Sequence, residues 1–194
     1  MAKRRRSGPG SGHSNQIRII GGVHRGRRLP FPDSPGLRPT ADRTRETLFN
    51  WLQPLLPGAR CLDPFAGSGA LGFEAASRGA GQVTLLEQNR QVAEQLEANR
   101  ALLALSQVDV HQANAVDWLE RSAEPFDIVF LDPPFADQLL GDCCEKLERN
   151  GWLADDPRIY LEWDLHGPAP SIPGNWVLLK EKRAGQVAFA LYTR

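Results

Sequence analysis

The chain has 194 residues, of which 41% are hydrophobic and 24% charged, with equal numbers of acidic and basic side chains. This is the composition of a soluble globular protein of one domain, or of one domain with a small appendage. No apolar run approaches the roughly 20 residues that cross a bilayer, and no apolar segment follows the basic start, so we expect a cytoplasmic protein without a membrane partner. The three cysteines and four histidines lack metal-ligand spacing, which predicts reduced thiols and no metal.

Positive charge is concentrated at the front of the chain. Residues 1–45 contain eleven arginines and lysines against two aspartates, and the remainder of the chain is correspondingly acidic. Residues 1–15 are rich in serine, glycine and arginine with almost nothing apolar, so we expect a disordered basic tail. A basic front on an acidic body predicts a polyanionic partner that binds at one end of the molecule only.

The first ordered elements carry most of the remaining basic residues. Residues 16–20 and 27–31 predict two short strands joined by a turn, and four prolines then interrupt regular structure. Thr40 is expected to cap a helix that ends before Pro54. The arginines near this helix are either ordinary surface charges or, because they adjoin the basic hairpin, part of one surface that faces RNA or DNA. The expected nucleic-acid contacts are Arg18, Arg25, Arg27, Arg38, Thr40, Arg43 and Arg45.

From residue 59 onward, predicted strands and helices alternate, which is typical of a parallel α/β sheet. The predicted strands cover residues 59–62, 82–86, 108–111, 128–131 and 159–162, and the predicted helices cover residues 70–78, 90–104, 116–121 and 138–149. Residues 176–180 and 186–192 predict a terminal antiparallel hairpin. We therefore expect three parts: the tail, residues 16–56 as a hairpin and helix facing nucleic acid, and residues 57–194 as the main domain.

A glycine-rich loop follows the first strand of this domain. Gly67, Gly69 and Gly72 match the G-x-G-x-x-G pattern of dinucleotide sites, and Glu87 ends the next strand, where a carboxylate takes ribose hydroxyls. A nicotinamide-dependent oxidoreductase is therefore one candidate. Against it, the loop is too long to press a pyrophosphate onto the helix, and Asp63 places negative charge where the pyrophosphate would lie. That carboxylate favours a ligand with a cationic end, such as S-adenosylmethionine.

The fourth strand ends abruptly at Asp132, Pro133, Pro134 and Phe135. The prolines force the chain out of the sheet at its carboxyl edge, where open parallel sheets bind ligands. An acceptor at Asp132, the carbonyl of Pro133 and a flat ring at Phe135 favour a planar base that carries an exocyclic amine. Ordinary turn chemistry, with Phe135 in the core, is the alternative interpretation.

These motifs resemble known proteins. The loop from Asp63 to Gly69, together with Asp132 to Phe135, is similar to the class I, S-adenosylmethionine-dependent amino-methyltransferases. The segments Gln16–Gly22, Leu37–Thr40 and Arg45–Asn50 further resemble the RsmD family, bacterial methyltransferases of a guanine N2 in 16S ribosomal RNA. The likeness covers nearly the whole chain from Gln16 onward.

The resemblance implies an α/β fold, a Rossmann-like seven-stranded doubly wound sheet behind an N-terminal basic β-hairpin, with S-adenosylmethionine over the strand ends. It implies the 16S rRNA as partner, within an assembled or assembling small ribosomal subunit. The implied cofactor residues are Asp63, Phe65, Gly67 and Gly69 around the methionine part, Glu87 at the ribose, Asn114 and Ala115 at the adenine, and Asp132. Many relatives of the wider class carry Asp where this chain has Asn114, and a helix-capping role for Asn114 is the alternative.

The implied catalytic residues are Asp132, Pro133 and Phe135. Three further interpretations stay open at this point: a DNA or protein amino-methyltransferase, a non-catalytic RNA-binding assembly factor, and the nicotinamide oxidoreductase. Binding of S-adenosylmethionine rather than NAD, followed by methyl transfer to one nucleic acid rather than another, would separate them.

Overall fold

The computed structural model of the chain describes residues 15–35, 37, 39–134 and 139–194. All but the last residue of the predicted basic tail therefore lie outside the described residues. Nine strands and five helices are described. The strands are β1 Asn15–Arg18, β2 Arg28–Phe31, β3 Arg60–Asp63, β4 Gln82–Glu87, β5 Val108–Gln112, β6 Phe126–Leu131, β7 Leu153–Asp164, β8 Val177–Ala184 and β9 Val187–Thr193. The helices are α1 Asp42–Leu52, α2 Ala70–Ser77, α3 Arg90–Leu102, α4 Ala115–Trp118 and α5 Leu140–Arg149.

Strands β3 to β9 form one seven-stranded sheet in the order β5-β4-β3-β6-β7-β9-β8. The strands from β5 to β7 are parallel, and β9 and β8 run antiparallel at one edge. Chain order reverses between β3 and β6, because β4 and β5 extend the sheet on one side and β6 and β7 on the other. A ligand crevice is expected at such a reversal, at the carboxyl ends of the strands.

Side chains alternate between the two faces of the sheet, and helices cover both. Cys61 and Phe130 face a core that includes α1, α2, α3 and the β1–β2 hairpin. Leu62 and Leu131 face a second core that includes α4 and α5. The predicted doubly wound, seven-stranded fold is therefore confirmed. The hairpin and α1 share one hydrophobic core with the sheet. The boundary between residues 16–56 and residues 57–194 therefore stays a prediction.

Strands β7 and β8 extend furthest beyond their predicted ranges. β7 begins at Leu153, opposite Phe126, and a register shift lets it continue to Asp164 across Pro157. β8 is exposed along its whole length and pairs with β9 as far as Ala184, four residues beyond the predicted end at residue 180.

The β1–β2 hairpin is attached to α2 through Glu74. This glutamate is 0% exposed. Its two carboxylate oxygens accept hydrogen bonds from the backbone N–H groups of Ile20 and Gly21, at 2.8 and 2.7 Å, and from Nε of Arg78 at 2.7 Å. Gly22 continues the contact, since its backbone lies too close to the Ser77 carbonyl for any side chain. The hairpin is thus fixed to the helix that begins at the glycine-rich loop.

The sequence predicted no membrane span and no metal site, and the structure bears on these points only for the residues that it describes. No described helix has the length and apolarity to cross a membrane. No group of three or more His, Cys, Asp or Glu among these residues is arranged to hold a metal ion. Cys61, Cys143 and Cys144 are buried thiols, and burial raises the pKa of each.

Candidate active site at the carboxyl edge of the sheet

A cavity of about 890 Å³ lies over the carboxyl ends of the five parallel strands. Its volume is at the upper end of the range for small-molecule sites. Its walls are the glycine-rich loop, the Asp-Pro-Pro turn after β6, the loop that precedes α1 and the β8–β9 turn. The described lining includes four acidic side chains, Asp63, Glu87, Asp132 and Glu162, and no lysine or arginine. A cavity of this charge favours cationic ligands over phosphates.

The glycine-rich loop takes its shape from left-handed backbone and close packing. Gly67 and Gly69 have φ of 49° and 79°, a region that glycine adopts without steric cost. A Cβ on Gly69 would collide with the Phe73 ring, and one on Gly72 would collide with Leu85 of β4. At Gly67 the nearest described atoms to a Cβ would be Leu37 Cδ1 at 3.1 Å and the Phe65 carbonyl oxygen at 3.8 Å. Packing therefore explains Gly69 and Gly72, whereas Gly67 is explained by its positive φ.

Asp63 occupies the end of β3 beneath this loop. It is 2% exposed, and its Oδ2 accepts a hydrogen bond from the backbone N–H of Gly72 at 3.1 Å. The carboxyl group therefore satisfies a donor in the first turn of α2, a role that the sequence did not indicate. Burial, with the charge of Asp132 nearby, raises the pKa of Asp63 to about 7. A cation in the cavity would favour its ionised form.

Glu87 and Asn114 lie at the ends of β4 and β5 and both line the cavity. The Glu87 oxygens accept hydrogen bonds from the backbone N–H groups of Gly67, at 3.1 Å, and Asn89, at 2.7 Å. Burial raises the pKa of Glu87, while these N–H groups oppose the shift. Asn114 caps α4 through Oδ1, so the capping alternative describes its observed contacts. The amide group of Asn114 also donates to Gln88 Oε1 at 3.3 Å. Contact of these side chains with a cofactor stays a prediction, as it does for Phe65 and Ala115, which also line the cavity.

The Asp-Pro-Pro turn brings Asp132 and Pro133 to the cavity wall. Asp132 Oδ2 accepts a hydrogen bond from the Thr40 hydroxyl at 2.9 Å. Burial raises the pKa of Asp132 to about 6, and the Thr40 hydroxyl opposes that shift. Phe135, the predicted stacking ring, lies outside the described residues.

The prediction that Thr40 caps α1 is wrong. The residue at the capping position is Ala41, which makes no side-chain capping bond. Thr40 is buried instead and donates its hydroxyl hydrogen to Asp132. The segment that precedes α1 therefore reaches the acceptor motif 92 residues further along the chain.

Only some of the arginines predicted to contact nucleic acid are exposed. Arg18, Arg25, Arg27 and Arg43 are exposed, and Arg18 pairs with Asp42 at 3.1 Å. Arg38 lies outside the described residues. The prediction that Arg45 contacts RNA is wrong, because its side chain is 1% exposed. The guanidinium group donates hydrogen bonds to Asp42, to the Arg18 carbonyl and to the Ala70 carbonyl. Arg43 and Arg45 lie two residues apart in the same helix, and the sequence alone does not show which of them is buried.

Sequence reasoning missed Glu162 and Tyr160. Glu162 lies on β7, is 6% exposed and lines the cavity. Its Oε2 accepts a hydrogen bond from the buried Tyr160 hydroxyl at 2.7 Å. A signal was available in the sequence, since a glutamate at the carboxyl end of an otherwise apolar parallel strand is itself unusual.

The sheet order, the helices on both faces and the cavity at the strand ends define a class I, Rossmann-like methyltransferase fold. The family whose sequence profile matches residues 17–193 is described as "Conserved hypothetical protein 95". Ribosomal RNA small subunit methyltransferase D of Escherichia coli strain K12 is 54% identical to this chain, over 96% of the chain and 94% of the relative. The protein of the same description from Haemophilus influenzae is 48% identical, over 91% and 93%. The chain belongs to this RsmD family.

A solved structure agrees with the fold. The protein described as "Putative methyltransferase yhhF from Escherichia coli" superposes with a TM-score of 0.88 at 52% sequence identity. The match covers 93% of this chain and 98% of the other. Similarity over almost the full length of both chains means that the hairpin and the terminal strands belong to the shared fold, and not the sheet alone.

Proposed function

We propose that this protein transfers a methyl group from S-adenosylmethionine to the exocyclic N2 amine of one guanine in the 16S ribosomal RNA. The observation that carries the proposal is the contact of Thr40 with Asp132 inside an acidic cavity. It joins the front segment, whose sequence resembles the RsmD family, to the acceptor motif that resembles amino-methyltransferases. The family relatives described as small-subunit rRNA methyltransferases support the substrate.

The cavity fits the cofactor in its charge. S-adenosylmethionine carries a sulfonium and an amino group, and the described lining offers carboxyl groups without a lysine or arginine. The pyrophosphate of a nicotinamide cofactor would face the same carboxyl groups at a Coulomb cost. The residues that would hold the cofactor are Asp63, Phe65, Gly67, Gly69, Glu87, Asn114, Ala115 and Asp132. When bound, it supplies a methyl group that the positive sulfur has already activated.

The residues of the acceptor motif supply orientation and proton transfer. The lone pair of an exocyclic amine is delocalised into the base, so the amine is a poor nucleophile. Asp132 and the carbonyl of Pro133 accept the amine hydrogens, which favours a tetrahedral nitrogen with an available lone pair. Asp132 then removes the extra proton, directly or through water. Fixing the amine in line with the methyl group provides most of the rate.

The base and its RNA are held by different parts of the chain. Phe135 would stack on the flipped base, a contact worth about 1–3 kcal/mol. Arg18, Arg25, Arg27 and Arg43 supply exposed positive charge for phosphates, with Arg38 as a further predicted contact. An assembled or assembling small subunit is the proposed form of the substrate.

The test is transfer of labelled methyl from S-adenosylmethionine to small subunits that lack this modification, with protein-free 16S RNA and DNA assayed in parallel. Asp132→Ala should lose transfer but still bind S-adenosylmethionine in calorimetry, with an affinity weakened at most moderately, because the seven other cofactor residues are unchanged. Asp155→Ala, which changes an exposed aspartate on β7, is the control and should keep both. Full activity of Asp132→Ala would remove Asp132 from the mechanism, and label on DNA alone would replace the proposed substrate.

A further inference from the structure

Glu162 lies beside Asp132 at the edge of the sheet. The register pairs Leu131 of β6 with Leu161 of β7, so the next residues along these parallel strands, Asp132 and Glu162, are neighbours on one face. Adjacent strands are about 4.8 Å apart, which places two carboxyl groups side by side. Both residues line the cavity.

A hydrogen bond from Tyr160 holds the Glu162 side chain in place. The Tyr160 hydroxyl, two residues earlier on the same face of β7, donates to Oε2 at 2.7 Å. Among the described residues, no donor hydrogen-bonds to Oε1. Glu162 lines the cavity, so Oε1 is available to accept a hydrogen bond from a ligand there while Oε2 is held by Tyr160.

We propose that Glu162 is a substrate-contacting residue that accepts the N1–H of the target guanine and thereby selects guanine. This inference rests on the proposed function and adds the recognition of the base. Guanine carries three hydrogens along one edge, one on N1 and two on N2. Asp132 and the Pro133 carbonyl accept hydrogen bonds from the two N2 hydrogens, and Glu162 accepts one from N1–H. Adenine and cytosine carry a lone pair on the ring nitrogen beside the amine, which would face the Glu162 oxygen unfavourably.

The protonation of the pair is compatible with this role. Burial, with the charge of Asp132 nearby, raises the pKa of Glu162 to about 8, while the pKa of Asp132 is about 6. Near neutral pH the two groups therefore retain about one proton between them, and the cavity avoids two adjacent negative charges. Binding shifts this balance, because the N1–H of guanine and the positive charge of the cofactor both favour the ionised form of Glu162. An ionised carboxylate only accepts hydrogen bonds, so it offers no hydrogen to the ring-nitrogen lone pair of adenine or cytosine.

The experiment combines a protein change with a base change. Small subunits are reconstituted with 16S RNA that carries either guanine or 2-aminopurine at the target position. 2-Aminopurine keeps the reactive amine but has a lone pair in place of N1–H. Glu162→Ala should lower kcat/KM on guanine about 10- to 100-fold, the effect of one lost hydrogen bond to a carboxyl group, and should change kcat/KM on 2-aminopurine less than about threefold.

If Glu162 had a purely structural role, Glu162→Ala would lower kcat/KM on guanine and on 2-aminopurine by the same factor. Equal losses on guanine and 2-aminopurine would therefore overturn the inference. Glu162→Gln keeps the volume and a partner for the Tyr160 hydroxyl, so the comparison can be repeated in it if the alanine variant melts early. Glu181→Ala, at an exposed glutamate of β8, should leave both rates unchanged. Failure of the wild-type protein on guanine would instead reject the proposed function, so the two failures are distinguishable.

Discussion

Glu74 provides the sharpest test of how the hairpin is attached to the sheet domain. Glu74→Gln preserves the side-chain volume but replaces one acceptor oxygen by an NH₂ group that faces N–H donors. In the native chain these oxygens accept from Ile20 N, Gly21 N and Arg78 Nε, and Nη1 of Arg45 lies 3.6 Å away. Breaking a buried ion pair typically costs about 3–5 kcal/mol, and an unsatisfied buried N–H costs about 1–3 kcal/mol. Because these terms share one group and do not add, we expect a loss of about 4 kcal/mol.

Urea denaturation measures this loss. With a slope of about 2–3 kcal/mol/M for a chain of this size, the midpoint should fall by roughly 1–2 M. Glu145→Gln is the matched control, since Glu145 and Arg149 of α5 have the same i,i+4 order as Glu74 of α2 and Arg78, the residue that follows α2. The control pair is exposed, and its loss should not exceed about 0.5 kcal/mol.

The comparison also has a functional readout. At a temperature where the variant stays folded, Glu74→Gln should weaken RNA binding while S-adenosylmethionine binding is kept, because the hairpin and not the cofactor loop is released. If Glu74→Gln loses no more stability than Glu145→Gln, the buried carboxylate does not attach the hairpin to α2.

Three further outcomes are expected. Gly22→Ala should lower the melting temperature more than Gly26→Ala, because both glycines have positive φ but only Gly22 lies against the Ser77 carbonyl; equal losses would leave backbone strain as the whole effect. The affinity for S-adenosylmethionine should rise as pH passes upward through about 7, because the pKa of Asp63 is about 7 and its ionised form attracts the cation. Asp63→Asn should flatten that rise in calorimetry, and an unchanged profile would exclude Asp63 as its source. Arg43→Ala should reduce RNA affinity and the salt slope by about one charge with little change in stability, whereas Arg45→Ala should mainly destabilise the fold; a matching loss of salt slope in both variants would contradict the assignment of Arg45 to the core.

Local patterns in the sequence were sufficient to predict the fold and the position of the cavity. Alternating apolar strands and helices follow from backbone periodicity, and the prolines after Asp132 end β6 wherever the rest of the chain lies. The glycine-rich loop is likewise local, because glycine adopts the left-handed φ of Gly67 and Gly69 without the steric cost that a side chain adds. Family resemblance then supplied the substrate class, which no local pattern specifies.

Only the tertiary structure decided which polar side chains meet. Thr40 and Asp132 are 92 residues apart in the chain, and Glu74 and Gly21 are 53 apart. Arg43 and Arg45 look alike in the sequence, yet the packing of α1 against α2 exposes one and buries the other. The position of Glu162 at the end of an apolar strand was visible in the sequence, but its place beside Asp132 was decided by strand register. The sequence by itself determined the elements and the edge of the sheet where the site forms, because those depend on local backbone chemistry. The composition of the site depended on long-range register and burial, which no stretch of the sequence encodes alone.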